Sequence, residues 1–227
     1  MHIPDGFLDG PTSLGAAGVA AAGLGVSVRK AADALDDRRA PLAGLVAAFV
    51  FAVQMLNFPV ANGTSGHLLG AVLAAVLVGP WAAVICIAVV LLVQALFADG
   101  GLTALGLNVV NMGLVAGLGG YVVFLLARRL LPRTKAGVVA SSAVAAGLSV
   151  VLASVAFVAE YALGGTVDLS LGGVLGAMVG VHVLIGIGEA VITAMTVSAV
   201  LAVRPDLVHG AAGLLPVPEV RPALVQP

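Results

Sequence analysis

Six long apolar tracts constrain this chain more than any other feature: Thr12–Val28, Leu42–Ala61, Leu68–Phe97, Leu102–Ala127, Ala136–Leu163 and Leu171–Val203. Crossing about 30 Å of hydrocarbon takes roughly 20 apolar residues as a helix. A helix is also the form in which a single segment satisfies its own backbone in lipid. Of the 227 residues, 61% are apolar and only 9% charged, against about 45–50% and about 25% in soluble domains. Too few polar side chains remain to coat a water-facing surface, so the fold class expected is an all-α membrane protein.

The third tract is too long for one crossing. As a single helix it would measure roughly 45 Å, and Gly79-Pro80 inside it is a pair that ends one helix and starts the next. Charge favours the split, because short loops rich in Lys and Arg stay cytoplasmic. With two segments in that tract there are seven, and Arg29–Arg39, Arg128–Lys135 and the tail bearing Arg204 and Arg221 all fall on one side. The expected architecture is a seven-helix bundle in the cell membrane, N-terminus outside and C-terminus cytoplasmic. Residues 1–203 form one transmembrane domain and 204–227 a cytoplasmic tail. Leu68–Val78 is short for a crossing and is expected inside the bundle or in thinned bilayer.

Met1–Pro11 has two aspartates and no basic residue, unlike a secretory signal. Met1 is expected to persist as the true N-terminus, since a bulky His2 disfavours its removal. A net charge of −1 argues against nucleic-acid partners, which need a basic surface. One cysteine, Cys86, in an apolar run leaves metal chemistry to nitrogen and oxygen donors.

The opening Met-His-Ile-Pro-Asp-Gly-Phe offers three such donors: the Met1 α-amine, the His2 amide nitrogen and a His2 imidazole nitrogen, closing small chelate rings in one plane. Planar nitrogen sets suit Ni(II) or Cu(II). The charge pattern puts His67, in Asn62-Gly63-Thr64-Ser65-Gly66-His67, on the same side, which makes it the natural fourth ligand. Intramembrane polar groups are functional candidates because lipid penalises them; Asn57, Gln94, Asn108 and Asn111, with Ser65 beside His67, could orient the imidazoles. His182 and Glu189, seven apart on the last helix, could pair or relay protons. Glu160 is expected at the outer interface and His209 in solvent. Small residues at intervals of four, Gly113/Gly117 and Gly172/Gly176/Gly180, suit close helix approach.

The segments MHIPDGFL, NGTSGHLLGAVLAAVLVGPWAAV, VQALFADGGLTALGLNVVNM and GIGEAVIT resemble the CbiM/NikM family, the substrate-binding membrane subunits of energy-coupling-factor (ECF) transporters for cobalt and nickel. The resemblance implies an N-terminal loop, residues 1–11, tucked into the outer half of the bundle. It implies one Co(II) or Ni(II), as transported substrate, held by Met1, His2 and His67 through four nitrogens. It also implies partners: a transmembrane coupling subunit, two cytoplasmic ATPase subunits and a small accessory membrane protein. No G-x-x-x-x-G-K-[ST] loop is present, so no bound nucleotide and no enzymatic activity are expected of this chain. The alternative is a self-sufficient proton-coupled metal transporter using His182, Glu189 and Glu160. An intramembrane metalloprotease is disfavoured by the lack of H-E-x-x-H.

Overall fold

A computed structural model describes residues 1–32, 39–60, 65–97 and 99–213. Asn62, Gly63 and Thr64, and the tail beyond Gly213, lie outside these residues.

Helix α1, Gly10–Ala32, starts where Asp9 accepts the Thr12 amide at 2.9 Å, an N-cap that meets one of the helix's orphan donors. Arg29 and Lys30 belong to its last turn rather than to a loop, where cations complement the carbonyl end of the helix dipole. Helix α2, Arg39–Gln54, is 16 residues long. The second tract does not continue helically to Ala61. Pro59 has no amide hydrogen to give and pushes Phe58 into extended backbone, and Phe58–Pro59 (β1) pairs antiparallel with Ser65–Gly66 (β2).

The third tract divides as expected. Helix α3, Ala71–Val78, has only eight residues and all are buried. A helix apolar on every side belongs in a core, and α3 is the centre of this one. Gly79 ends it at φ +92°, open to glycine without a Cβ penalty, and Pro80 opens α4, Pro80–Leu96. The next helix, α5, covers Leu105–Leu130 and is wound wider, with i→i+5 bonding, over Val109–Gly119. Helices α6 (Lys135–Gly164) and α7 (Leu171–Val203) follow. Among the described residues, α1, α5, α6 and α7 are each long and apolar enough to cross a membrane.

The glycine stripes are not where helices approach closely, whereas a Cβ on Gly106 of α5 would come 2.5 Å from the Ala17 Cα of α1. Gly172, Gly176 and Gly180 have nothing within 4 Å of where a Cβ would stand. Instead Gly147 on α6 meets Gly186 on α7, where a Cβ on Gly186 would come 2.8 Å from the Gly147 carbonyl. Beyond α7 the chain turns back through Pro205–Leu207 and His209–Ala211 and buries Val208, Gly210 and Ala211. His209 is accordingly half-buried, its ring 6.1 Å from that of Tyr121, rather than solvated.

The bundle therefore has two unlike ends. At one, residues 1–9 fold inward among the starts of α1, α3 and α5 and the ends of α4 and α6. At the other lie Lys30, 5.1 Å over the Trp81 ring, and His209 against Gly79. Helix α3 links the ends across only about 12 Å.

Candidate metal centre

The N-terminal segment is held by anchors on several different elements. Phe7 packs between the rings of Phe157 and Tyr161, at 5.7 and 5.6 Å. The backbone around Leu8 bridges to Gly165, with Asp9 N donating to Gly164 O at 2.7 Å and Thr166 N to Phe7 O at 3.1 Å. Asp5 accepts the Thr103 amide at 2.7 Å. Deeper in, the Asn108 side chain accepts from Ile3 N at 2.8 Å and donates to Ile3 O at 3.3 Å, while Gly101 N also donates to Ile3 O at 3.0 Å. These bonds fix the peptide immediately after His2.

The result is that Met1, His2 and Ile3 are 0%, 4% and 0% exposed. A charged amine is costly to desolvate. Burial holds the Met1 amine well below its usual value of 8.0, opposed by the nearby negative charge of Asp99. Burial, with the amine's charge adding to it, pushes His2 down to about 3.

His67 is fully buried just after β2, and its ring stacks on that of His2 at 4.4 Å. Its Nδ1 lies 2.8 Å from the Leu68 carbonyl, which fixes that nitrogen as the donor and leaves Nε2 with the lone pair. Burial, then the amine and His2, hold His67 well below its usual value. His67 Nε2 and His2 Nε2 are buried without hydrogen-bond partners among the described residues. Asp99 Oδ2 stands 3.7 Å from His2 Nε2, outside hydrogen-bond range but on the side that would leave His2 Nδ1 as the ligating nitrogen.

The space around His2 is shaped by glycine. A Cβ on Gly100, where φ is +92°, would come 3.0 Å from His2 Nδ1. Residues 67–70 are fixed from below: Gln54 Nε2 donates to Leu69 O at 2.7 Å, and Glu189 accepts from Leu69 N and Gly70 N at 2.8 and 2.6 Å. Glu189 thus occupies the N-terminal end of α3, where a carboxylate complements the helix dipole.

The orienting residues anticipated from sequence separate into several groups. Asn108 clamps Ile3 and so positions His2 through the backbone. Asn57 is exposed and reaches Asp99 at 3.4 Å, not an imidazole. Ser65 belongs to the β1–β2 pair. Gln94 is fully buried on the last turn of α4, with neither amide atom partnered among the described residues, and its carbonyl accepts from Asp99 N at 3.0 Å. Asn111 donates to Glu160 at 2.7 Å, so its amide engages a carboxylate rather than an imidazole, and Glu160 is partly buried in a polar pair. His182 and Glu189 do not pair: His182 Nδ1 donates to Met178 O at 2.7 Å, and its Nε2 is buried and unpartnered among the described residues. His182 nevertheless adjoins the centre, 3.3 Å from where a Gly66 Cβ would be, and its charge acts on His67.

Asp99, Gly100, Gln54 and the Asp5–Thr103 pair were not legible as site residues. Asp99-Gly100-Gly101 after an apolar helix is the one signal, and it reads equally well as a turn. No group of three or more His, Cys, Asp and Glu side chains with metal-holding geometry occurs among the described residues.

The crossing-length helices, with an N-terminal segment folded in over paired imidazoles, define a membrane-embedded helical bundle with a buried cluster of nitrogen donors at one end. Residues 2–207 match the family described as the cobalt uptake substrate-specific transmembrane region, CbiM, and the chain belongs to that family. A protein of Haloquadratum walsbyi named for metal transport is 40% identical over 212 residues, which cover 92% of this chain and 93% of the relative. The fused nickel transport protein NikMN of Rhodobacter capsulatus is 45% identical over 130 residues, 57% of this chain and 38% of the relative. A crystal structure of a transition metal transporter superposes with a TM-score of 0.83 at 33% identity, covering 89% of this chain and 93% of that one.

Proposed function

We propose that this chain is the substrate-specific membrane component of an ECF-type importer, and that it binds one Co(II) or Ni(II) through the Met1 amine, the His2 amide, His2 Nδ1 and His67 Nε2. The observation that carries this reading is the buried Met1 amine beside two stacked imidazoles, with His67 Nε2 buried and unpartnered among the described residues. Burial keeps water from the amine and the imidazoles and disfavours their protonated forms, which is what a nitrogen-binding metal requires.

In-plane nitrogens discriminate against Mg(II) and Ca(II), which favour oxygen, and against tetrahedral Zn(II). Asp99, close to both the amine and His2, supplies negative charge where the cation arrives. Seven segments, with α3 recessed in the core, fit the basic residues to one end; we take that end as cytoplasmic. Partner subunits then dock from the membrane and cytoplasm and supply ATP hydrolysis. Nickel appears in the name of one relative and cobalt in the family's description, and the four nitrogens serve either ion. The proton-coupled alternative finds no support in the geometry, because His182 and Glu189 bond to separate backbone groups.

The test is calorimetric titration of the purified chain, Met1 as its first residue, with Ni(II) and Co(II). Saturation at one ion per chain supports the reading. Equal binding by a form carrying an extra glycine before Met1 overturns it.

A further inference from the structure

A cavity of about 710 Å³ lies at the end of the bundle opposite the amine, lined by Arg128, Arg129 and Arg133 together with His209. Arg128, on the last turn of α5, is 9% exposed. Its Nη1 donates to the Pro132 carbonyl at 3.0 Å, yet Nε and Nη2 are buried and have no hydrogen-bond partner among the described residues. Gly137 makes room for it, since a Cβ there would come 3.0 Å from Nη1. Arg133 adds a second positive charge near enough to repel the first.

A buried guanidinium with two unpartnered donors beside a second cation is costly, and an anion would both accept from those donors and offset the charge. Nε and Nη2 are the pair of parallel donors that a guanidinium presents to two oxygens of one anion, and phosphate is the anion whose spacing fits it. The cavity also has an apolar side. Leu125 and Leu131 line it, and Leu125, Leu126 and Leu130 are 45%, 50% and 86% exposed on the outer surface of α5, where acyl chains would lie.

We propose that this cavity is a phosphate-binding site occupied by the headgroup of an anionic phospholipid, with Arg128 as the bidentate contact and Arg129 and Arg133 as the surrounding charge. Basic pockets between membrane helices take headgroups in this way, each cation adding to the attraction. The site is separate from the metal centre and stands whether or not the metal assignment does.

The test uses the full chain in neutral detergent. Phosphatidylglycerol and phosphatidylcholine with matched acyl chains are titrated by native mass spectrometry, and thermal shifts are read in sodium phosphate against sodium chloride at equal ionic strength. The expected result is a preference for phosphatidylglycerol of about tenfold or more, reduced to the phosphatidylcholine level in Arg128→Gln and in Arg133→Gln. Arg133 is exposed, so its variant remains informative if loss of the Arg128–Pro132 bond unfolds the other; circular dichroism reports folding in both. A phosphate-specific stabilisation lost in the same variants without any lipid preference assigns the site to free phosphate and upholds its chemistry. Equal binding of the two lipids with no phosphate effect overturns the proposal, as does a defect of the variants confined to assembly with partner subunits.

Discussion

The imidazole of His2 stacks on that of His67 with ring centroids 4.4 Å apart and planes inclined by 29°. One ring arrives on the N-terminal segment and the other on the strand leading into α3, so their meeting reports that the segment is seated. A seated amine is also a confined one, because Met1 is fully buried. One added residue would have to displace the anchors at Ile3 and Asp5. An N-terminal extension, His2→Ala and His67→Ala are each expected to abolish Ni(II) and Co(II) binding in calorimetry while leaving the helical circular dichroism signal unchanged.

The protonation of the centre sets how many protons binding releases. In the folded chain the amine is held well below 8.0 and His2 at about 3, with His67 also depressed. Burial thus favours the neutral amine and imidazoles, so binding is expected to release fewer protons per metal than the same donors would when exposed. Titrations in buffers of different ionisation enthalpy count them directly; a release equal to that of an exposed peptide with the same first residues would show that burial does not favour the neutral amine.

The same shifts couple the seated segment to pH. Bases with depressed folded-state values are protonated more readily when released, so the unseated state binds more protons. Stability from this segment is complete above the amine's usual value of 8.0 and is lost progressively as pH falls through it and then through 6.5. Hydrogen exchange should show the Ile3 and Gly101 amides, both bonded within the anchor, losing protection on acidification before the α6 and α7 backbones do.

Asn108 holds Ile3 by two bonds. Asn108→Leu leaves the buried Ile3 amide without its acceptor, at about 1–3 kcal/mol, and is expected to weaken metal binding roughly 10–100-fold. Asn108→Asp retains the acceptor for the Ile3 amide and should fall between the two. Affinity and melting temperature, measured on both variants, separate loss of position from loss of fold.

Gly100→Ala adds a methyl 3.0 Å from His2 Nδ1 at a φ of +92°. The strain and the intrusion act on the proposed ligating nitrogen, so metal affinity is expected to drop while lipid binding at the arginine cavity does not change. Equal metal affinity in the wild type and this variant would show that His2 Nδ1 does not face the metal.

Much of this protein was legible from periodicity, charge and terminal chemistry. The apolar tracts fixed a helical membrane protein because lipid leaves a single segment few other ways to satisfy its backbone, and Gly79-Pro80 marked the break between α3 and α4 because one residue favours φ above zero and the other lacks an amide hydrogen. That Met1 and His2 offer an amine, an amide and an imidazole nitrogen side by side was readable for a similar local reason, since the two residues are adjacent, whereas His67 meets them only through the fold. What tertiary structure decided was everything that depends on who meets whom. Asp99 and Gly100 beside His2, Glu189 on the α3 amides instead of on His182, and the glycine contact at Gly147 and Gly186 all join residues far apart in the chain. No local pattern specifies such pairings, because a carboxylate at a buried position takes whichever donors the packing brings to it. The basic residues show the division most clearly: their sequence sorts them to one end of the bundle, but only packing buries Arg128 and leaves its Nε and Nη2 without partners among the described residues.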